Sequence, residues 1–574
     1  YTQNFGILEL GSRTMTFNQG ANVNSGTMAA NISELRMTAG NNDRPVLLNG
    51  SATIQIGSAS ITNNALTKRL QLDGSSSANT IGTISNGISG ATVQVIKDNS
   101  STWTLTANNN YTGTTTITAG TLQLGNGGST GALATSSAIT NNATLAFNRS
   151  NTITQGTDFA AVVSGSGVLR KSGAGNLVLT GSNLADGSAR EILTFSGGGS
   201  GTVTLRHASA LGAAGNTVRF SAGGSGVLDL QTDGSVNAYN IASSSGNGGT
   251  IIANRASAGS SNHALGILDL SSVTITVNRG SNVTGSAAVS FTELRMTGGN
   301  DNNPVTLAGD ADLTIGSASI TSTGISKRLQ LDGTGQANSI GLISDTTNAT
   351  TGAVVSLIKA NVSTWTLGAD NTYTGTTTIK GGTLKINSST AIATSSSITI
   401  GDAGSSGAVL DATADGFTLA ADQTLGGIGR ILATGQTVTA SGTMAPGNST
   451  GTLEIDGGTL ALHADTRFQF ELGTTSDLIS LLNLATLDLG NGVIGLSDFN
   501  FSDAGGFGAG TYTLIGGATS FTGTLASGDL SGQVLGFNST LGMSGSNLVL
   551  TVVPEPGVTL IGSLGLLGLL RRRR

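Results

Sequence analysis

The stretch Ser101–Gly120, STWTLTANNNYTGTTTITAG, returns nearly unchanged at Ser363–Gly382 as STWTLGADNTYTGTTTIKGG. A degenerate third version runs from Lys171 to Asn183, KSGAGNLVLTGSN. In each, a lysine (Lys97, Lys171, Lys359) stands six residues before a large apolar residue (Trp103, Leu177, Trp365). A leucine follows two positions later, then an Asn-containing turn. Alternation rich in Thr, Val and Ile, closed by Gly and Asn, predicts strand, turn and strand. Trp103 shares a strand face with Leu105, and Trp365 with Leu367. Because the third version puts Leu177 at the tryptophan position, the sequence predicts a core stack there rather than a sugar-stacking platform. Tyr111 and Tyr373, just past the Asn-rich turns, are then the better candidates for exposed contacts.

These lines resemble the autotransporter-associated β-strand repeat, whose usual form reads KxGxGxLxLxGxNxYTGxTxIxxGTL. The two full versions depart from it where Asp98–Ser101 and Ala360–Ser363 replace the glycines before the first strand. The resemblance implies a right-handed parallel β-helix exposed outside the cell.

Working outward, the repeat sits in a larger duplication. ELRMT occurs at Glu34–Thr38 and Glu293–Thr297, IGSASIT at Ile56–Thr62 and Ile315–Thr321, and KRLQLDG at Lys68–Gly74 and Lys327–Gly333. A unit of about 260 residues is therefore present twice, on the order of a dozen coils at ~20–25 residues per coil. Composition agrees: 87 Gly, 5 Pro, 4% aromatic and 10% charged residues suit a thin stacked core better than a thick globular one. A net charge of −6 shows no nucleic-acid footprint. The absence of Cys removes disulfides, thiolate metal sites and thiol catalysis together. Tyr1 begins in mid-pattern, since Ile7–Leu10 (ILEL) matches Ile267–Leu270 (ILDL), and the sequence reads as a fragment whose signal peptide would lie upstream.

The expected organisation has three parts: residues 1–460 as a parallel β-helix, 461–552 as a terminal β-section, and 553–574 as a tail. Phe468, Phe470, Phe499, Phe501, Phe507, Tyr512 and Phe521 would thicken the core of the terminal section. Asp477–Leu484 suits a short helix, although the TLDLG after it favours strands. The fold class expected is all-β, a right-handed parallel β-helix with that terminal section and a short hydrophobic helix at 558–570.

The tail places Pro554, Glu555 and Pro556 before VTLIGSLGLLGLL and the four arginines Arg571, Arg572, Arg573 and Arg574. Pro554 and Pro556 lock φ and keep the spacer out of any helix. A helix over 558–570 would span about 20 Å, short of the ~30 Å hydrocarbon core, with the arginines as a stop on the cytoplasmic side. In order and position these features resemble a PEP-CTERM sorting signal. That resemblance implies Sec-dependent export, a transient inner-membrane stage, and removal of the tail near Pro554–Pro556 by an exosortase. The protein would end at the cell surface or in the extracellular matrix.

Chemistry-bearing motifs are sparse. Gly447-Asn-Ser-Thr-Gly451 matches GxSxG, but a nucleophile elbow needs a following helix and Asp and His partners. The surrounding APGNSTGTLEIDGGTLAL resembles a structural turn found late in autotransporter passengers. His207, His263 and His463 stand apart from one another, which does not fit a metal site. Asp402, Asp411, Asp415 and Asp422 could hold calcium loosely or be solvated turn residues. Glu34/Arg36 and Glu293/Arg295 share a strand face and read as salt-bridged pairs, with carboxylate chemistry on a polysaccharide as the alternative. The sequence thus predicts a surface or matrix structural or adhesion protein without catalytic residues, metal or cofactor. The alternatives are a β-helix that binds or cleaves extracellular polysaccharide and an autotransporter passenger-like adhesin.

Overall fold

The computed structural model describes the chain apart from residues 22–27, 39–43, 64–65, 185–186, 198–200, 222–225, 244–245, 247, 299–302, 323, 347–351, 403 and 555–574. The chain divides into two compact units, Tyr1–Gly316 and Ser317–Arg574.

The first unit is a parallel β-solenoid of the right-handed type. One face stacks Thr102–Leu105, Thr121–Leu124, Thr144–Phe147, Val168–Lys171 and Glu191–Phe195 in that order. The same sheet begins with Thr2–Leu10, Ala29–Met37, Thr53–Ile61 and Asn79–Ser85. It continues through Thr217–Phe220, Asn240–Ser243, Gly259–Leu270 and Val283–Met296. A second strand in each coil builds another face, for example Thr67–Leu72, Thr92–Lys97, Thr115–Ile117 and Ile139–Asn141. Register explains the apolar spacing. Trp103 pairs with Leu122, and the ladder runs on through Leu145, Leu169, Leu193, Val218, Ile241 and Leu268 to Leu294. Every one of these side chains is buried. Steps vary from 19 residues (Trp103 to Leu122) to 27 (Ile241 to Leu268), the differences falling mostly at the corners and partly in bulges at Glu191–Leu193 and Gly259–Ser261.

The second unit coils in the same way. Thr364–Leu367, Gly381–Ile386, Ser406–Asp411, Arg430–Leu432, Thr452–Asp456 and Leu478–Leu482 stack in parallel on one face. Val354–Lys359, Thr377–Ile379, Ser397–Ile400, Thr424–Gly427, Thr443–Pro446, Arg467–Leu472 and Phe499–Asp503 form another. From Phe417–Leu419 onward a third strand joins each coil, through Thr437–Ala440, Thr459–Leu462, Thr486–Asn491 and Ser520–Thr524.

No change of pairing marks residue 460; parallel pairing runs on to Ser520–Thr524. Antiparallel pairing starts where Gly510–Gly516 meets Asn547–Val552, which also pairs with Phe537–Ser544, itself paired with Ser531–Val534. Within Asp477–Leu484 the structure has the strand Leu478–Leu482. Phe468 and Phe470 are buried in the parallel coils, with Phe468 stacked on Phe499 at 4.4 Å, whereas Phe521 is 40% exposed on the last coil. The sole helical element among the described residues is the turn Leu496–Asp498. No helix of the described residues is long and apolar enough to cross a membrane. The expected helix at 558–570 lies outside the described residues.

Trp103 and Trp365 point into the stack, 0% and 1% exposed. Trp103→Ala is expected to cost about 3–5 kcal/mol, and Trp103→Leu distinctly less because leucine already fills that position at Leu177. Urea unfolding and protease resistance of that coil measure both. An unchanged unfolding curve together with lost glycan binding would instead make Trp103 a sugar platform.

Candidate functional site

The repeat's chemistry lies at its corners. Thr92–Lys97 ends with Lys97 facing inward, and the chain turns through Asp98–Ser101 into Thr102–Leu105. The turn is tight, with Asn99 at φ 57°, so its carbonyls leave the strand ladder. Lys97 satisfies them: its Nζ donates to the carbonyls of Asp98, Asn99 (2.8 Å) and, one coil on, Ala119 (3.2 Å). Lys359 repeats the arrangement with Ala360 (2.5 Å), Asn361 (3.0 Å) and Gly381 (3.0 Å). Lys171 donates to the carbonyl of Gly173. An ammonium offers three donors and no acceptor, which suits a cage of carbonyls. Gly120 (φ 67°) and Gly382 (φ 62°) close the cage, and a Cβ there would stand 2.3 Å from the carbonyl oxygens of Asn99 and Asn361.

The tryptophans tie each cage to the preceding coil. Trp103 Nε1 donates to the Asp73 carbonyl at 2.8 Å, and Ser101 Oγ donates to the same oxygen at 3.1 Å. Trp365 and Ser363 do the same to Asp332, both at 3.1 Å. The duplicated blocks KRLQLDG and STWTL are thus bonded to each other in both copies.

Tyr111 and Tyr373 are buried, not exposed. Their hydroxyls sit 2.6 Å from Thr115 and Thr377, which in turn reach Ser137 (2.7 Å) and Ser395 (2.9 Å). A polar partner inside the coil lets the ring turn inward. The neighbouring asparagines are internal links as well. Asn109 accepts from the Ile84 amide (2.7 Å) and donates to the Ala132 carbonyl (2.7 Å), as Asn371 does with Ile343 (2.7 Å) and Ala391 (2.8 Å).

The remaining candidates do not converge. Ser449 of GxSxG lies at φ 109° before the strand Thr452–Asp456, and its hydroxyl donates to Glu471 at 3.4 Å. Asp477 accepts from the amides of Gly451 (2.8 Å) and Glu471 (2.7 Å), which fastens that turn. His263 is buried with Nε2 2.9 Å from the Asn254 carbonyl, while His207 and His463 are exposed. Asp411 binds back to Thr413 (2.7 Å), Asp415 accepts from the Ser389 amide (3.1 Å), and Asp402 pairs with Ser405 and Lys380. No group of three or more His, Cys, Asp or Glu able to hold a metal occurs among the described residues. Glu34 and Arg36 form an ion pair at 3.0 Å, joined by Glu9, and Glu293 and Arg295 form another at 2.9 Å. Pro554 is exposed at the end of the described residues; Glu555, Pro556 and Arg571–Arg574 lie outside them.

A family model for the passenger-associated-transport-repeat matches residues 95–124, 169–189 and 357–386. Each match begins two residues before a buried corner lysine, at Lys97, Lys171 and Lys359. A 113-residue stretch is 36% identical to part of the adhesin BmaC autotransporter of Brucella suis biovar 1 (strain 1330). It covers 19% of this chain and 3% of that protein, so the chain spans a small fraction of that relative's length. The repeats are of the autotransporter-associated kind, on a β-solenoid of the type their sequence implies.

Burial pushes the Lys97, Lys171 and Lys359 ammonium groups down to about 8 from 10.5. Between those values the unfolded chain binds more protons than the folded one, so stability rises from about pH 8 toward 10.5. Buried Tyr111 is pushed up to about 12, and Tyr239 and Tyr373 also rise. The unfolded tyrosines therefore ionise first above their ordinary 10.0, and stability falls again. The midpoint of urea unfolding across pH 7 to 11 is expected to be highest near pH 10. The double variant Lys97→Met, Lys359→Met should lose about 3 kcal/mol or more at pH 7, because several carbonyls lose their donors, and should flatten the rising limb.

Proposed function

We propose that this protein is an exported, non-catalytic surface or matrix adhesin whose solenoid carries binding faces away from the cell. The observation behind this reading is that the three passenger-repeat segments coincide with the three corners built on a buried lysine, two of them full carbonyl cages. The architecture suits export. Each coil needs only its neighbour, so folding can proceed coil by coil as the chain emerges. Without Cys, no disulfide has to form along the way. Over the first coils one outward row is uncharged and polar, with Asn4, Asn31, Gln55 and Thr80 aligned. A row of this kind offers weak contacts that add up.

The finer reading concerns the tail: after Sec-dependent export, residues 553–574 act as a PEP-CTERM signal that an exosortase removes from the inner-membrane intermediate. It rests on the order Pro554-Glu555-Pro556, apolar segment, Arg571–Arg574. The second reading is an autotransporter passenger, favoured by the repeat matches and by the named adhesin relative. Extracellular polysaccharide is a partner compatible with either.

Intact-mass analysis of the extracellular protein separates these readings. The sorting reading expects loss of Val558–Arg574, and the variant Pro554→Ala, Pro556→Ala should accumulate in the inner membrane with its tail attached. Extracellular protein that still carries Arg571–Arg574 rejects sorting. Protease treatment of intact cells should degrade the solenoid; full protection would reject surface exposure.

A further inference from the structure

One face of the first unit widens abruptly where the four-residue strand Asn240–Ser243 is followed by the twelve-residue strand Gly259–Leu270. Of the longer strand, only Leu268–Leu270 rests on the shorter one. The overhang Gly259–Leu265 pairs with the following coil through Val283–Phe291, and among the described residues it has no strand partner on its other side. Side chains hold it there instead. Ser261 Oγ and His263 Nε2 both lie 2.9 Å from the Asn254 carbonyl oxygen, and the Ala264 amide donates to Ser235 Oγ at 3.0 Å. Ser261, His263 and Leu265 face inward beside Ala287, Val289 and Phe291, and His263 is 1% exposed. A carbonyl can only accept, so Nε2 carries the ring proton and Nδ1 is a bare acceptor. Nδ1 is buried and has no hydrogen-bond partner.

We infer that His263 is an acid-operated clip: its neutral ring fastens the overhang to Asn254, and protonation at Nδ1 releases Gly259–Leu265 from the core. The surroundings favour the neutral ring. Val283–Met296 brings Ala287 and Val289 against it, and Gly249–Asn254 brings an uncharged amide. Val227–Gln231 brings the buried Asp229, whose carboxylate is already bonded to Asn254 Nδ2 (3.0 Å) and Thr204 Oγ1 (3.2 Å). On the turn before the overhang, Arg255 is ion-paired with Asp233 at 3.2 Å and bonded to the Ser260 carbonyl. Burial holds the His263 imidazole below its ordinary 6.5, outweighing the Asn254 and Leu230 carbonyls and the Asp229 carboxylate, which favour the charged form. Below pH 6.5 the released segment therefore binds the proton better than the clipped one, and the clip weakens as pH falls. The frame itself does not demand the histidine. Aligning ILEL at Ile7–Leu10 with ILDL at Ile267–Leu270 puts Gln3 at its position in the first copy. Such a clip answers to acid whatever the solenoid's surface binds, and so reaches beyond the adhesin reading.

Two measurements on the full chain test the clip. The sequence has three histidines, so comparing wild type with His263→Gln by NMR identifies the His263 ring signals. That ring should titrate below 6.5 and carry its proton on Nε2 at neutral pH. Amide hydrogen exchange, corrected for its intrinsic pH dependence, should quicken about tenfold in 259–265 and 283–291 between pH 7 and pH 5, while the Lys97 corner keeps its rate. In His263→Gln the corrected rates should be equal at both pH values. Asp229→Asn, the second variant, removes the facing carboxylate and should move the ring titration and the opening together to lower pH. A ring that titrates at or above 6.5, acid opening that persists in His263→Gln, or faster exchange spread evenly along the solenoid would overturn the inference.

Discussion

A coil of this protein cannot satisfy its own backbone. Its strands run parallel to those of the coils before and after, so every ladder hydrogen bond goes to a neighbour. Register is then the controlling constraint, since a slip of one residue would turn Trp103, Leu122 and Leu145 outward together. Strands of four residues, such as Thr102–Leu105 and Thr121–Leu124, hold register weakly by themselves. The corners supply the rest. Lys97 binds carbonyls of its own turn and of the following coil, while Trp103 and Ser101 bind the preceding one, so a single corner fixes three coils.

This division of labour explains what could be read in the sequence. Inward positions were legible because they alternate, and Leu177 in place of tryptophan identified the core face. The lysines were legible as spacing but not as structure. A lysine is ordinarily solvated, and only its constant place six residues before the large apolar residue points to a fixed partner. Tyr111 departs from its sequence expectation because it follows an Asn-rich turn, where exposure is the usual outcome. Thr115, four residues later, was the available signal: its hydroxyl makes the buried ring tolerable. The asparagines mislead for the same reason, since Asn109 bonds backbone on two neighbouring coils instead of merely turning the chain.

Corner chemistry also occupies side chains that the sequence offers as candidates for catalysis. The side chains best placed for chemistry are occupied as fasteners. Asp477 holds two amides at the Ser449 turn, and His263 bonds a backbone carbonyl. The ion pairs of Glu34–Arg36, shared with Glu9 of the neighbouring strand, and of Glu293–Arg295 are partly exposed, an arrangement that contributes little to stability.

The same constraint makes the end of a stack a distinct chemical place. Inside the solenoid each strand has two neighbours, so side chains alone vary from coil to coil. At the end one neighbour is missing, and the fold must cover the edge, charge it or leave it available. In the second unit one face is covered, because Asn547–Val552 runs antiparallel beside Gly510–Gly516 and reverses the direction of growth. Parallel stacking on that face therefore ends there, and the sheet goes on antiparallel through Phe537–Ser544 to Ser531–Val534. Among the described residues the face ending at Phe499–Asp503 receives no such strand, and its aromatic pattern runs through to that strand. One face thus changes to antiparallel pairing while another keeps its parallel, aromatic register to its last described strand, so the two faces end by different means.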